Sequence, residues 1–402
     1  MKMGRMQTWI ALILVPVGLL VMVILGIVGY RSSRTPLYPN AESVPSIRPS
    51  APSPQWAGAA DQARQLVRAS VAEQNIPGLS VAVGVGGAVV WAEGFGWADV
   101  ENRVQAAPQT RFRIGHVSKT LTSAAAGLLL EQGQLHLHDE IQKYVPAFPA
   151  KQWPITLREL MAHVSGVRHY NERDDMPTEH CERASDGMRS FANDPLRFEP
   201  DTRYGYSTYG WVLVSEAIEA ASGDPFLTFM RSRIFEPLRM DGTTIDAPHV
   251  PDPDRAKFYF GKFGGEAALG PDPAADVDYS CLAGGGGFVS TSPDLVKFAM
   301  ALQSGKLLKA DTVKMLQTPQ ELRSGEQTSY GLGWMLESAS LAGESSRMVG
   351  HTSRSLLGGS TSFWIFPDRG IAVAVTANIS FVDSGSSIAL KVAETFAKPQ
   401  SR

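Results

Sequence analysis

The chain has 402 residues, a net charge of −3 and 44% apolar residues. That is ordinary globular composition, long enough for one large domain or two closely packed subdomains. The near-neutral charge gives no reason to expect nucleic-acid binding.

Residues 1–7 form a short tail carrying Lys2 and Arg5. From Thr8 to Tyr30 there is no charged residue, a run long enough for one helix across a bilayer core, which takes about 20 apolar residues. A cleaved signal peptide has a shorter apolar stretch and ends in small residues, so the run reads as an uncleaved anchor. Arg31 and Arg34 flank its far end, so the charge bias for orientation is weak. Residues 31–56 hold six Pro and six Ser without helical or strand pattern and read as an extended linker. At about 3.1 Å per residue it spans on the order of 80 Å.

The globular part, residues 57–398, opens with helical spacing over Gly58 to Asn75, where Ala60, Ala63, Leu66, Val67 and Val71 share a face. Two strands follow, Leu79–Val85 and Ala88–Phe95, joined at Gly86-Gly87. The run Gly84–Gly87 is not a nucleotide loop: a strand rather than a helix follows it, and no Gly-Lys-Ser/Thr appears. Val117–Gln132 reads as a buried helix, and the chain to about residue 250 is mostly helical and rich in loops. Ser290-Thr291-Ser292-Pro293-Asp294 is a helix start, with a hydroxyl cap, Pro at the first helical position and an acid, and the helix it opens runs through Asp294–Gln303. Thr361–Phe366 and Ile371–Thr376 read as strands joined through Pro367–Gly370, and Ser386–Ala397 as a closing helix. Strands at both ends imply one sheet completed by distant parts of the chain.

Cys181 and Cys281 have no Cys-x-x-Cys spacing, which gives neither a zinc site nor a redox motif. The two can pair in an oxidising compartment; two separate buried thiols is the reading the residues favour.

A series of short motifs spans nearly all of residues 57–398: Ile76-Pro77-Gly78-Leu79, Gly94-Phe95-Gly96-Trp97, Phe112-Arg113-Ile114, Leu157-Arg158-Glu159-Leu160-Met161-Ala162-His163-Val164-Ser165-Gly166, Tyr206-Ser207, Ala283–Gly287, Tyr330-Gly331-Leu332-Gly333-Trp334 and Gly350-His351-Thr352. In this order they resemble the β-lactamase-related serine hydrolases, a family that includes class C β-lactamases, D-alanyl-D-alanine carboxypeptidases, esterases and a mitochondrial β-lactamase-like protein. The resemblance implies an α/β (α+β) penicillin-binding-protein/serine β-lactamase fold: an antiparallel sheet flanked by helices, plus a helical subdomain, with a cleft between them. It also implies that the bulk of the chain lies outside the cytoplasm, on the periplasmic side. Cys181 and Cys281 then fall in loops near the cleft, where they can pair.

The family's chemistry uses three motifs. Ser-x-x-Lys puts hydroxyl and amine on one helical face, so that the amine activates the hydroxyl. Tyr-x-Asn supplies a phenol as proton relay and an amide for the substrate. A strand Lys-Thr-Gly or His-Thr-Gly runs along the substrate and helps form the oxyanion hole. This chain departs from all three. His116-Val117-Ser118-Lys119 has an imidazole where the nucleophile belongs, Tyr206-Ser207-Thr208 has Thr for the amide, and His351-Thr352-Ser353 has Ser for Gly. No other Lys has a Ser three residues before it, and Ser118 points about 100° away from Lys119 on a helix.

The resemblance thus implies His116, Lys119, Tyr206 and His351 as the catalytic positions, and Thr208, Thr352 and Ser353 as the substrate side. Two readings stand. In one the site is catalytically impaired and the domain binds or scaffolds peptidoglycan-like or acyl ligands; His116 then fills space and bonds Tyr206 or water. In the other it is a hydrolase using His116, Lys119 and Tyr206, because an imidazole at a helix N-terminus is held neutral and can act as base or nucleophile. An assembly role with an empty cleft stands only by analogy. Neither a cofactor nor a metal is implied: His116 and His351 face one cleft, but no third ligand has a zinc spacing. His163 reads as a residue that orders its loop, and Gly284–Gly287 as close-packed backbone beneath the site. Protein partners are not specified.

Overall fold

The computed structural model of the protein describes residues 22–23, 26, 36–170, 174, 180–247, 252–261, 270–354, 358–380 and 388–398. A short strand, β1 (Ser46–Ile47), precedes helix α1 (Ala57–Glu73). The hairpin of β2 (Gly78–Val85) and β3 (Ala88–Asp99) follows, and β4 (Val104–Gln105) folds back on β3. Gly86 and Gly87 take φ of +59° and +91°, the left-handed values their two-residue turn requires. β5 (Phe112–Arg113) leads through a tight turn, Gly115–Val117, into α2 (Ser118–Glu131). Helices α3 (Leu157–Met161), α4 (Thr208–Ser222) and α5 (Phe226–Met230) carry the middle of the chain. Short strands β6 (Thr244–Ile245), β7 (Tyr259–Gly261), β8 (Pro271–Pro273) and β9 (Phe288–Ser290) lead to α6 (Ser292–Gln303) and α7 (Ala310–Leu316). The chain closes with β10 (Met335–Leu341), β11 (Glu344–Arg354), β12 (Ser360–Phe366), β13 (Ile371–Ala377) and α8 (Ala389–Ala397).

The main sheet runs β1-β3-β2-β13-β12-β11-β10, antiparallel throughout, with β4 beside β3. β2 pairs with β13, Val81 opposite Val375, so both ends of the chain complete one sheet as expected. Alternation divides the strands between two cores. Val81, Val83, Val373, Val375, Trp364 and Phe366 face α1 and α8; Ala82, Ala372, Ala374, Phe363 and Ile365 face α6 and the helical layer. Each such fully buried Val or Phe stabilises by about 1.5–3 kcal/mol. α2 is buried at every position from Ser118 to Gly127, its polar first turn facing the site and its Ala- and Leu-rich remainder packed in the core.

Most of the expected elements are present. α6 starts two residues earlier than expected, with Thr291 as the cap that accepts from the Asp294 N–H. β10 has no counterpart in the sequence reading. Its segment is mostly exposed or half-buried, and Glu337, Ser338 and Ser340 interrupt its apolar residues, so it lacks the apolar run that marks β12 and β13.

The expectation of an unpatterned linker over 31–56 is corrected for its middle. Tyr38 and Val44 are buried, the Tyr38 hydroxyl donates to the Pro77 carbonyl at 2.5 Å, and β1 pairs with β3. Two buried side chains and a few backbone bonds suffice to dock a segment too short to show periodicity. The expectation of two separate thiols is corrected as well: Cys181 and Cys281 form a disulfide. Their approach, Cα to Cα 4.9 Å across a sequence separation of 100, is a product of the tertiary fold that spacing cannot show. The anchor expected over 8–30 lies outside the described residues except for Met22, Val23 and Gly26; among the described residues no helix is long and apolar enough to cross a membrane.

Candidate functional site

Three elements converge at one end of β11. α2 enters through the Gly115–Val117 turn, α4 begins at Thr208, and β11 contributes His351, Thr352 and Ser353. The structure therefore brings together all seven residues expected at the site.

Lys119, the second residue of α2, is fully buried. Its Nζ donates to the Gly285 carbonyl at 2.6 Å and to Thr208 Oγ1 at 3.2 Å, and lies 4.9 Å from the centre of the Tyr206 ring. Burial pushes this amine well below its ordinary range. Ser118, the adjacent hydroxyl, turns into the core, where Oγ accepts from the Phe288 N–H at 3.4 Å. It is not available as a substitute nucleophile.

His116 is half-buried at the mouth of α2. Its ring centre lies 5.3 Å from Tyr206, 5.9 Å from His169 and 6.3 Å from His351. Burial, then the positive field of Lys119, pushes its pKa well down, so the imidazole is neutral. Its Nε2 is 3.3 Å from the Tyr170 hydroxyl. The bond expected with Tyr206 is thus made with Tyr170 instead, because Tyr206 is directed to His351, Oη to Nε2 3.4 Å.

His351 is almost fully buried on β11. Nδ1 donates to the Thr352 carbonyl at 2.7 Å, which leaves Nε2 as an acceptor for the Tyr330 hydroxyl at 3.1 Å and for Tyr206. Burial, followed by Lys119, lowers its pKa to about 3. The phenols of Tyr206 and Tyr330 are pushed up by the same burial. Thr352 is half-buried, and its hydroxyl contacts the Met335 sulfur at 3.8 Å. Ser353 packs beneath the turn before His116: a Cβ on Gly115 would come within 2.2 Å of its Oγ.

The start of α4 is held by two imidazoles. The Ser207 N–H donates to His163 Nδ1 and the Thr208 N–H to His169 Nδ1, both at 3.1 Å. Helix N-termini leave such N–H groups without partners inside the helix, and these rings supply the acceptors. His163 orders its loop in this way, from a backbone at φ +61°. Burial lowers the His169 pKa to about 4, keeping its acceptor nitrogen free of a proton. The Gly284–Gly287 run packs closely: a Cβ on Gly284 would meet Thr122 Oγ1 at 2.2 Å, and one on Gly287 the Tyr279 carbonyl at 2.6 Å.

The sequence reading did not assign His169, Tyr170 or Tyr330 to the site. Tyr330 opens a motif that served only as a fold landmark. His169 and Tyr170 reach the site by tertiary approach, which no local pattern marks.

The whole arrangement is a cluster of neutral imidazoles and protonated phenols around a buried amine. It can donate and accept hydrogen bonds, and His116 can accept a proton. The Lys119 amine has no hydroxyl nucleophile at position 116 to activate.

The Beta-lactamase family model matches residues 63–395. The chain is 29% identical to the human serine beta-lactamase-like protein LACTB, mitochondrial, a match covering 90% of this chain and 85% of that protein. It is 27% identical to penicillin-binding protein 4* of Bacillus subtilis, covering 66% of this chain and 60% of that one. Among solved structures, it is similar to the octameric penicillin-binding protein homologue from Pyrococcus abyssi, with a TM-score of 0.69, 25% identity, and 82% of this chain and 75% of that chain covered. It also shares its fold with D-amino acid amidase from Ochrobactrum anthropi, with a TM-score of 0.67, 24% identity, and 86% and 97% covered. The chain belongs to the Beta-lactamase family.

Proposed function

We propose that this Beta-lactamase family protein is a binding or scaffolding module with little or no acyl-transfer activity, tethered to a membrane through residues 8–30 with its domain on the periplasmic side. The observation that carries this reading is the engagement of Lys119. In serine acyl transfer a base must lie within hydrogen-bond reach of the hydroxyl it activates. Here the amine is bonded to Gly285 O and Thr208 Oγ1, and position 116 offers an imidazole that is itself bonded to Tyr170. Thr208 and His351, expected to serve a substrate or the chemistry, have their polar atoms engaged with neighbouring side chains and backbone. The relatives named as penicillin-binding and β-lactamase-like support peptidoglycan-like or acyl compounds as the ligand class.

The rival reading, a hydrolase with His116 as base or nucleophile, draws on the neutral state of that imidazole beside Lys119 and Tyr206. Intact-protein mass spectrometry after incubation with a penicillin and with a fluorophosphonate, read together with substrate turnover, separates the two. The impaired site shows an unchanged mass and no turnover, whereas an acyl-imidazole on His116 would hydrolyse, leaving the mass unchanged but turning substrate over. Robust ester or β-lactam hydrolysis that disappears in His116→Ala would establish the rival. The tether is tested separately: the full chain should remain with membranes after a carbonate wash, and a soluble mature chain beginning after Tyr30 would remove that part of the proposal.

A further inference from the structure

The disulfide lies two residues from a strained backbone and four from the carbonyl that holds Lys119. Ala283, between Cys281 and Gly285, has φ +41° and ψ −128°, a conformation an L-residue with a Cβ keeps only where its surroundings hold it. Gly285 presents its carbonyl to Lys119, and a Cβ on Gly286 would lie 3.9 Å from the His116 ring. On the other side, Cys181 is buried and its N–H donates to Ser280 Oγ at 2.8 Å, while the neighbouring His180 Nδ1 lies 3.0 Å from Asp278 Oδ2. A Cβ on Gly187 would meet the Cys281 carbonyl at 2.1 Å, so the 180s segment presses directly on this loop. Cys281 is the more exposed of the two cysteines.

We propose that Cys181–Cys281 is a redox latch on the candidate site, holding Ala283 in its strained conformation and thereby fixing Gly285 and Gly286 against Lys119 and His116. A dithiol reductant opens it. Its thiolate attacks the more accessible Cys281 sulfur, and the electron pair of the S–S bond leaves on Cys181, which takes a proton. The second reductant thiol then releases Cys281 as a thiol, and the reductant departs as its own disulfide. Two electrons and two protons enter the protein. Ala283 relaxes, the Gly285 carbonyl withdraws from Lys119, and the wall against His116 opens. This device acts on the site whether or not the site turns over a substrate.

The test uses the full-length protein, oxidised and after dithiothreitol, with thiols counted by mass. Diethyl pyrocarbonate modification is mapped to the peptide bearing His116, alongside hydrogen exchange at Gly284–Gly287. Reduction to two thiols should raise both by about tenfold or more, as expected for a local opening, while exchange in β2 and β13 stays unchanged. Reoxidation should reverse the change. Ala283→Gly removes the strain and should respond to reduction much less than the native chain. Unchanged His116 reactivity in the reduced protein would overturn the latch. So would a rise in exchange across the whole sheet, which marks a global staple, or a native-sized response in Ala283→Gly.

Discussion

Lys119 and Thr208 are joined by a hydrogen bond from Nζ to Oγ1 at 3.2 Å, so two residues expected to serve a substrate serve each other. The Gly285 carbonyl completes the arrangement at 2.6 Å. An amine held in this way lies one helical turn from position 116, and the identity of that one side chain decides whether it has anything to activate.

His116→Ser tests that point directly. It places a hydroxyl one turn before Lys119, with Tyr206 and His351 unchanged. Penicillin or fluorophosphonate labelling, absent in the native protein, should appear at least about 100-fold above background, the scale of a general-base contribution. Adding Ser353→Gly should increase it further, because Ser353 packs against Gly115 at the turn beneath residue 116. If the double variant stays inert under intact-mass analysis, the loss of function extends beyond the nucleophile.

Lys119 should also leave a signature in alkaline stability. Burial lowers its pKa in the folded state below the unfolded value of 10.5. Between the lowered folded-state pKa and 10.5 the unfolded chain binds a proton that the folded chain does not, so native stability rises as pH increases toward 10.5. The slope from this one group approaches about 1.4 kcal/mol per pH unit. Urea unfolding of Lys119→Met between pH 7 and 10 should show that slope removed. An unchanged slope would mean that the amine stays charged in the cleft.

What was legible in the sequence and what was not divides along physical lines. α2, β2, β13 and α6 announce themselves because their apolar residues follow the period of the element or fill it entirely, and the Thr291 region carries its own cap. The meeting of His116, Lys119, Tyr206 and His351 was legible only through the resemblance, since no local pattern links positions this far apart. Tyr170 and His169 escaped notice because their roles, a bond to His116 and a cap on the Thr208 N–H, are made entirely by tertiary approach. The disulfide was legible only as a possibility through the resemblance, since the residues alone favoured two separate thiols. Residues 37–47 read as linker because they lie in a Pro- and Ser-rich stretch without a period, although Tyr38 and Val44 are buried and β1 pairs with β3.

Acid should weaken the fold through the same cleft. His351 is held neutral down to about pH 3 and His169 to about pH 4, against an ordinary 6.5. Between those values and 6.5 the unfolded chain takes up protons that the folded chain does not, so stability falls as pH drops below 6.5. Each histidine contributes up to about 1.4 kcal/mol per pH unit across its window. The melting temperature should therefore drop steeply between pH 6.5 and 4, and His351→Gln should make that drop shallower. Equal slopes for native and variant would show that His351 carries no part of the acid sensitivity.

The docked N-terminal arm offers a test at the far side of the sheet from the cleft chemistry. Tyr38 is buried against β3, and its hydroxyl reaches the Pro77 carbonyl. Tyr38→Phe removes only that bond and should cost about 0.5–1.5 kcal/mol, since the Pro77 carbonyl still accepts from the Trp97 N–H. Tyr38→Ala also removes the ring and should cost about 3–5 kcal/mol, the range for a buried aromatic truncated to Ala. Limited proteolysis should then cut within residues 36–47 in Tyr38→Ala and spare them in the native chain. A cost under about 0.5 kcal/mol in urea unfolding, the range of a surface substitution, would show that the arm does not contribute to the fold.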